Sequence, residues 1–138
     1  MAGFSNSLAN AIINTTLRGQ PFPTIRNTYI ALFTADPTDA FTAGTEVSAA
    51  WYQRQPAGAF AAPTNGVTFN STRVEFPPVT GAPVTITHIG IVEGSTPTDV
   101  TATLLYSEPL PAPRTLQVND VFVVDSATTS GDFTLTLV

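Results

Sequence analysis

Proline cuts this chain into short pieces. Pro21, Pro23, Pro37, Pro56, the Pro77-Pro78 pair and the series Pro109, Pro111 and Pro113 each end or flank an apolar run. Because proline fixes φ and has no N–H to donate, these positions exclude long helices and long central strands. What remains is a succession of β-like runs, YIALF, VTF, VEF, VTITHIGIV, LLY, VFVV and FTLTL, punctuated by Pro, Gly, Asn and Asp. Seven or eight such strands predict a mainly β fold, an antiparallel β-sandwich of jelly-roll type.

The 138 residues suit one domain, which can bury enough apolar surface to fold without disulfides or metal. Cysteine is absent, so there is no thiol nucleophile and no disulfide framework. The expected single domain spans 1–138, with a short N-terminal α-helix or arm over 5–18 and a β core over 28–138. Ser5 or Asn6 can cap the start of the helix, Arg18 suits the negative end of its dipole, and Gly19 can take the left-handed position that ends it. Leu8, Ile12 and Ile13 lie close on one face, with Phe4 before them and Leu17 near the end. Such a helix either caps the chain's own core or packs on a neighbouring subunit.

Along the core, Thr28–Thr34 places Tyr29, Ala31 and Phe33 on one face and Ile30 and Leu32 on the other, so both faces are apolar enough for a central strand. Asp36-Pro37 ends it, and Glu46–Gln55 reads as the next strand, stopped at Pro56. Asn65-Gly66 marks a turn, and Asn70-Ser71-Thr72 interrupts the following apolar pairs, which suggests a bulge or a change of sheet. In Val84–Val92 the alternation slips around His88, as a bulge would make it. Leu104–Ser107 reads as a short strand ended by the proline series, Asn119-Asp120 as a turn, and Gly131–Val138 as the last strand, with Phe133, Leu135 and Leu137 on one face.

Charge narrows the function. Only 11% of residues are charged, all five basic residues are arginine and the net charge is −5, which argues against nucleic acid, whose binding needs clustered cations. With no secretory leader and no apolar window of membrane-spanning length, the chain is expected to be soluble, made in the cytosol and without a membrane partner. His88 is the single histidine and no nucleophile elbow is present, so nucleophilic catalysis has little to work with. The carboxylate pairs Glu75 and Glu93, and Asp36 and Asp39, have no diagnostic spacing for glycoside hydrolysis. Asp36, Asp39 and Glu46 do not follow the twelve-residue calcium loop. The expectation is therefore no enzyme, no cofactor and no metal. Trp51 and Tyr52 can be core residues, anchors in a protein interface or a stacking platform for a glycan.

The matching residues Ala31-Leu32-Phe33-Thr34-Ala35-Asp36-Pro37-Thr38-Asp39, Gly44-Thr45-Glu46-Val47-Ser48, Tyr52 with Arg54-Gln55, Asn65-Gly66-Val67, Thr87-His88-Ile89-Gly90-Ile91, Leu104-Leu105-Tyr106 and Leu135-Thr136-Leu137 recur in order in another group of proteins. On these residues the chain resembles the small virion proteins of tailed bacteriophages described as tail fibre, minor tail or head-decoration proteins. It departs from them at Ala49-Ala50-Trp51, where glycines are usual, and over Thr96–Thr103, an extended loop. The resemblance implies a non-enzymatic virion protein, made in the host cytoplasm, and first of all a decoration or cement protein on the outside of the head. A tail or fibre component and a glycan-binding adsorption module are the alternatives. The implied partners are the phage major capsid protein or tail proteins and further copies of the chain, with Phe4, Leu8, Ile12, Phe41, Trp51 and Tyr52 as candidate interface residues.

Overall fold

The computed structural model of the chain describes residues 3–126 and 134–136. In chain order these form β1 (Gly3–Phe4), α1 (Asn6–Arg18), β2 (Asn27–Phe33), β3 (Gln55–Pro56), β4 (Val67–Phe69), β5 (Val74–Glu75), β6 (Val84–Gly94), β7 (Thr103–Leu116), β8 (Val123–Val124) and β9 (Thr134–Thr136). Strands β1, β7, β6, β2 and β3 pair in that order in one antiparallel sheet, while β4 pairs with β9 and β5 with β8. The chain is thus the expected antiparallel β-sandwich with a short N-terminal helix, its second layer made of α1 and the two ribbons.

The helix ends as its sequence dictates. The Ser5 hydroxyl accepts the Leu8 N–H at 3.1 Å, and Gly19 turns left-handed at φ 65°. One side of α1 lies on the chain's own sheet: Leu8 is buried, and Ile12 and Phe4 pack against the same cluster. Ile13 and Leu17 do not join them and stand exposed.

β2 is central and apolar on both faces. Ile30 and Leu32 face the main cluster, with Ile89, Ile91, Leu105, Val74 and Val124, whereas Tyr29, Ala31 and Phe33 form a second cluster with Val92 and Leu104, closed by Phe41. In β6 the register with β7 shifts between Ile86 and His88. That irregularity brings Ile86 into the cluster of Ile89 and Ile91 across the slip seen in the sequence.

Elsewhere the chain departs from expectation. Glu46–Gln55 is a bend rather than a strand: Glu46 makes one isolated bridge to Phe33, Tyr52 N–H closes a turn onto the Ala49 carbonyl, and only Gln55–Pro56 joins the sheet. Two alanines with little to bury gave no reason to stay extended. β7 in turn runs through Pro109, Pro111 and Pro113 as a 14-residue strand. It can do so because β1 covers only Tyr106 and Ser107 on its far side, which leaves the proline stretch at the edge.

The Asn65-Gly66 turn forms with both residues at positive φ, 52° and 76°, the geometry of a tight hairpin. Asn70 marks a change of pairing, from β9 before it to β8 after it. Its buried amide donates to the Asp125 carbonyl at 2.6 Å. Of the expected last strand, Thr134–Thr136 is present and Leu135 is buried, whereas Phe133 and Leu137 lie outside the described residues.

The tightest joint in the main sheet is Gly90, in β6 between β2 and β7. A Cβ there would come to 2.8 Å from the Tyr106 carbonyl, 3.0 Å from the Phe33 ring and 3.1 Å from Leu104. Gly90→Ala is expected to destabilise the fold by about 1–3 kcal/mol, the usual range for overpacking. A urea midpoint equal to wild type would show that the sheet yields there.

Candidate contact surface

Among the described residues, the most elaborate polar construction lies where the 46–54 bend meets the loop after β6. In the bend, Arg54 grips Glu46 with two parallel hydrogen bonds, Nε to Oε1 and Nη2 to Oε2, both 2.7 Å. The Tyr52 hydroxyl donates to Glu46 Oε1 at 2.7 Å and accepts the Leu32 N–H at 3.1 Å. Its ring stacks on Phe76 at 6.1 Å, while Trp51 meets Tyr52 edge-on. Burial, then the Glu46 carboxylate, push the Tyr52 phenol well above its ordinary pKa, so it stays protonated and able to donate. A hydrogen bond from Arg54 Nη1 to the Asp99 carbonyl, 3.0 Å, ties the bend to the loop.

That loop is organised by Asp99. One carboxylate oxygen accepts from the Thr101 N–H and hydroxyl, at 2.8 and 2.7 Å. The other accepts from the Ser95 N–H and hydroxyl, at 2.8 and 2.9 Å, and from Arg26 at 3.1 Å. Arg26 also holds Glu93 through both carboxylate oxygens. The hydrogen bonds from Ser95 and Thr101 pull the Asp99 carboxyl below the ordinary carboxylate range, and the Arg26 guanidinium does the same for Glu93. Val100, next to this hub, is 97% exposed. Between loop and bend lies an open cleft of about 420 Å³ lined by Tyr52, Gln53, Arg54, Pro97, Thr98 and Val100 among others. Its charges are paired within the chain, Arg54 with Glu46 and Asp99 with Arg26, and Val100 supplies an exposed apolar tip.

The residues singled out from sequence scatter around this surface rather than forming it. Trp51 is 8% exposed and Leu8 6%, so both are spent inside the chain and present little to a partner; each was apolar enough to be claimed by the core. Phe4 and Ile12 are half-buried against the main cluster, and Phe41 rests edge-on against Phe33 at 6.2 Å, over the second cluster. Tyr52 alone lines the cleft, and its ring is held on Phe76.

His88 bonds the Thr87 hydroxyl through Nδ1, with Nε2 4.0 Å from Asp36. Glu75 pairs with Arg73 and Glu93 with Arg26, in separate networks. The Asp36 carboxylate accepts the Thr38 N–H, a turn-forming bond. Among the described residues no three His, Cys, Asp or Glu side chains gather as a metal site, and no helix is long and apolar enough to cross a membrane.

Sequence reading missed Arg26, Glu46, Arg54 and Asp99 as a unit. The signal that could have found Asp99 is the Ser-x-x-x-Asp-x-Thr spacing, Ser95, Asp99 and Thr101, in which one carboxylate can reach the backbone on both sides.

Removing the Tyr52 hydroxyl leaves the Leu32 N–H without its partner while the ring stays in place. Tyr52→Phe is expected to cost about 1–3 kcal/mol, the penalty for a stranded buried donor, measured by urea unfolding. For pH, the signs are those of lowered carboxylates: Asp99 and Glu93 contribute stability above their ordinary range, and it drains away as pH falls below about 4. Asp99→Asn should flatten the acid limb of the stability profile; an unchanged slope would assign that limb to other carboxylates.

Comparison with known proteins bears on what such a surface serves. No curated protein matches the chain. A family model described as podophage GP4 fiber I protein gp80 matches residues 3–132, nearly the whole sequence. The chain belongs to this family of phage fibre proteins.

Proposed function

We propose that the chain is a non-enzymatic structural subunit of a bacteriophage fibre, carried in the virion and working by contact with other tail proteins and with copies of itself. The observation that carries this reading is the family match across residues 3–132. It favours the fibre over the head-decoration role that the sequence suggested first, and decoration becomes the second reading.

The character of the surface supports a role in contact. Its arginines are engaged within the chain: Arg18 with Asn14, Arg26 with Glu93 and Asp99, Arg54 with Glu46, Arg73 with Glu75 and Asp125, and Arg114 over the Phe122 ring. Few cations are left to attract an anionic ligand, while the apolar side chains of Leu17 and Val100 stand exposed. The glycan reading finds less support, because Trp51 is buried and one face of the Tyr52 ring is stacked on Phe76.

Gold labelling of an epitope-tagged chain in purified virions tests the assignment. Label on the fibres, at a few copies per particle, is the expected result. Label spread over the head in hundreds of copies would replace the fibre with decoration, and absence from the particle would remove both.

A further inference from the structure

The main sheet has two open edges, and the hydrogen-bond directions can be worked out residue by residue. In β2, the Thr28 carbonyl accepts from Ala57 and the Leu32 carbonyl from Val47. The even-numbered residues of β2 therefore point toward β3, and Tyr29, Ala31 and Phe33 point toward β6. Their partners Val92, Gly90 and His88 point back at β2, so Ile89, between them, points at β7. Ile89 pairs with Glu108, which faces it; the next residue, Pro109, opposite His88, must face off the sheet. The Leu105 carbonyl, an even number of residues away, does face outward, where it accepts the Ser5 N–H at 3.0 Å. The same logic holds at the other edge. Gln55 sits opposite Ile30 and faces β2, so Pro56, opposite Tyr29, faces outward.

Each edge thus has a proline where an outward N–H would otherwise stand. On the β7 side the short stretch that can accept a strand, Leu105–Ser107, is already taken by residues 3–5 of the same chain. Past Pro109, the ladder to β6 breaks until Arg114, and this irregular segment holds Pro111 and Pro113. An exposed edge is otherwise a template for a second chain, and missing donors and broken register are what disable it.

We infer that an outward-facing proline at each edge, Pro56 and Pro109, the latter followed by Pro111 and Pro113 where the ladder is broken, closes the main sheet to strand addition by a second copy of this chain. Copies then meet through side-chain surfaces, and the sheet does not run on from one copy into the next. This holds whether the chain serves in a fibre or on a head.

The test is the variant P109T/P111T/P113T, with P21T/P23T, in the connector after α1, as the control. Circular dichroism establishes folding; light scattering and the infrared band of intermolecular β-sheet are followed over a hundredfold range of concentration. The folded triple variant is expected to form assemblies larger than wild type that grow with concentration and show that band, while the control behaves as wild type. A folded triple variant as disperse as wild type overturns the inference, and so does a control that associates equally. If the triple variant does not fold, P109T, P111T and P113T are measured singly. Association by any one supports the inference, and three folded, disperse variants overturn it.

Discussion

Everything in this fold hangs on β2 being dry on both sides. Ile30, Ala31, Leu32 and Phe33 are fully buried in sequence, which is possible only if each face of the sheet is covered by something. On one face the cover is α1 with the two ribbons; on the other it is the loop carrying Phe41. Neither cover is itself a large sheet, so the short outer elements borrow their stability from the central strand. The helix shows this directly: at 13 residues it is too short to persist alone in water, and Leu8 and Ile12 anchor it.

This dependence explains what could be read from the sequence and what could not. β2 was legible as a short apolar run stopped by Asp36-Pro37, which fits a strand covered on both faces, and β6 by its alternation, in which even the slip near His88 showed as a break. Helix α1 was legible through its caps. The Glu46–Gln55 segment was not, because its path is set by Arg54, Tyr52 and Glu46 meeting across the bend, and hydrogen bonds between side chains leave no periodic trace. β7 was misjudged because a proline forbids a central strand but permits an edge, and which it is depends on how far β1 reaches. Trp51 resisted assignment since burial and binding ask for the same residue type.

The polar network and the apolar core divide the labour. Packing decides that the sheet forms; Arg26 and Arg54 decide where the loop after β6 sits relative to the bend. Because Tyr52 belongs to both, stacking on Phe76 and bonding Glu46, the outward surface is keyed to the core by one side chain. That keeps an exposed face, its charges paired within the chain, in a defined shape, the preorganisation that lowers the cost of binding.

The loop from Ser95 to Thr101 is also where the sequence departs from the proteins it resembles, and Asp99 makes that departure inexpensive. Most of what orders the loop comes from within it, through Ser95, Thr101 and the one carboxylate, with two arginines reaching in from outside. Such a segment behaves as a cassette. A change at its exposed tip, Val100, leaves the hydrogen bonds of Ser95 and Thr101 to Asp99 in place, and with them the sheet that holds the loop up.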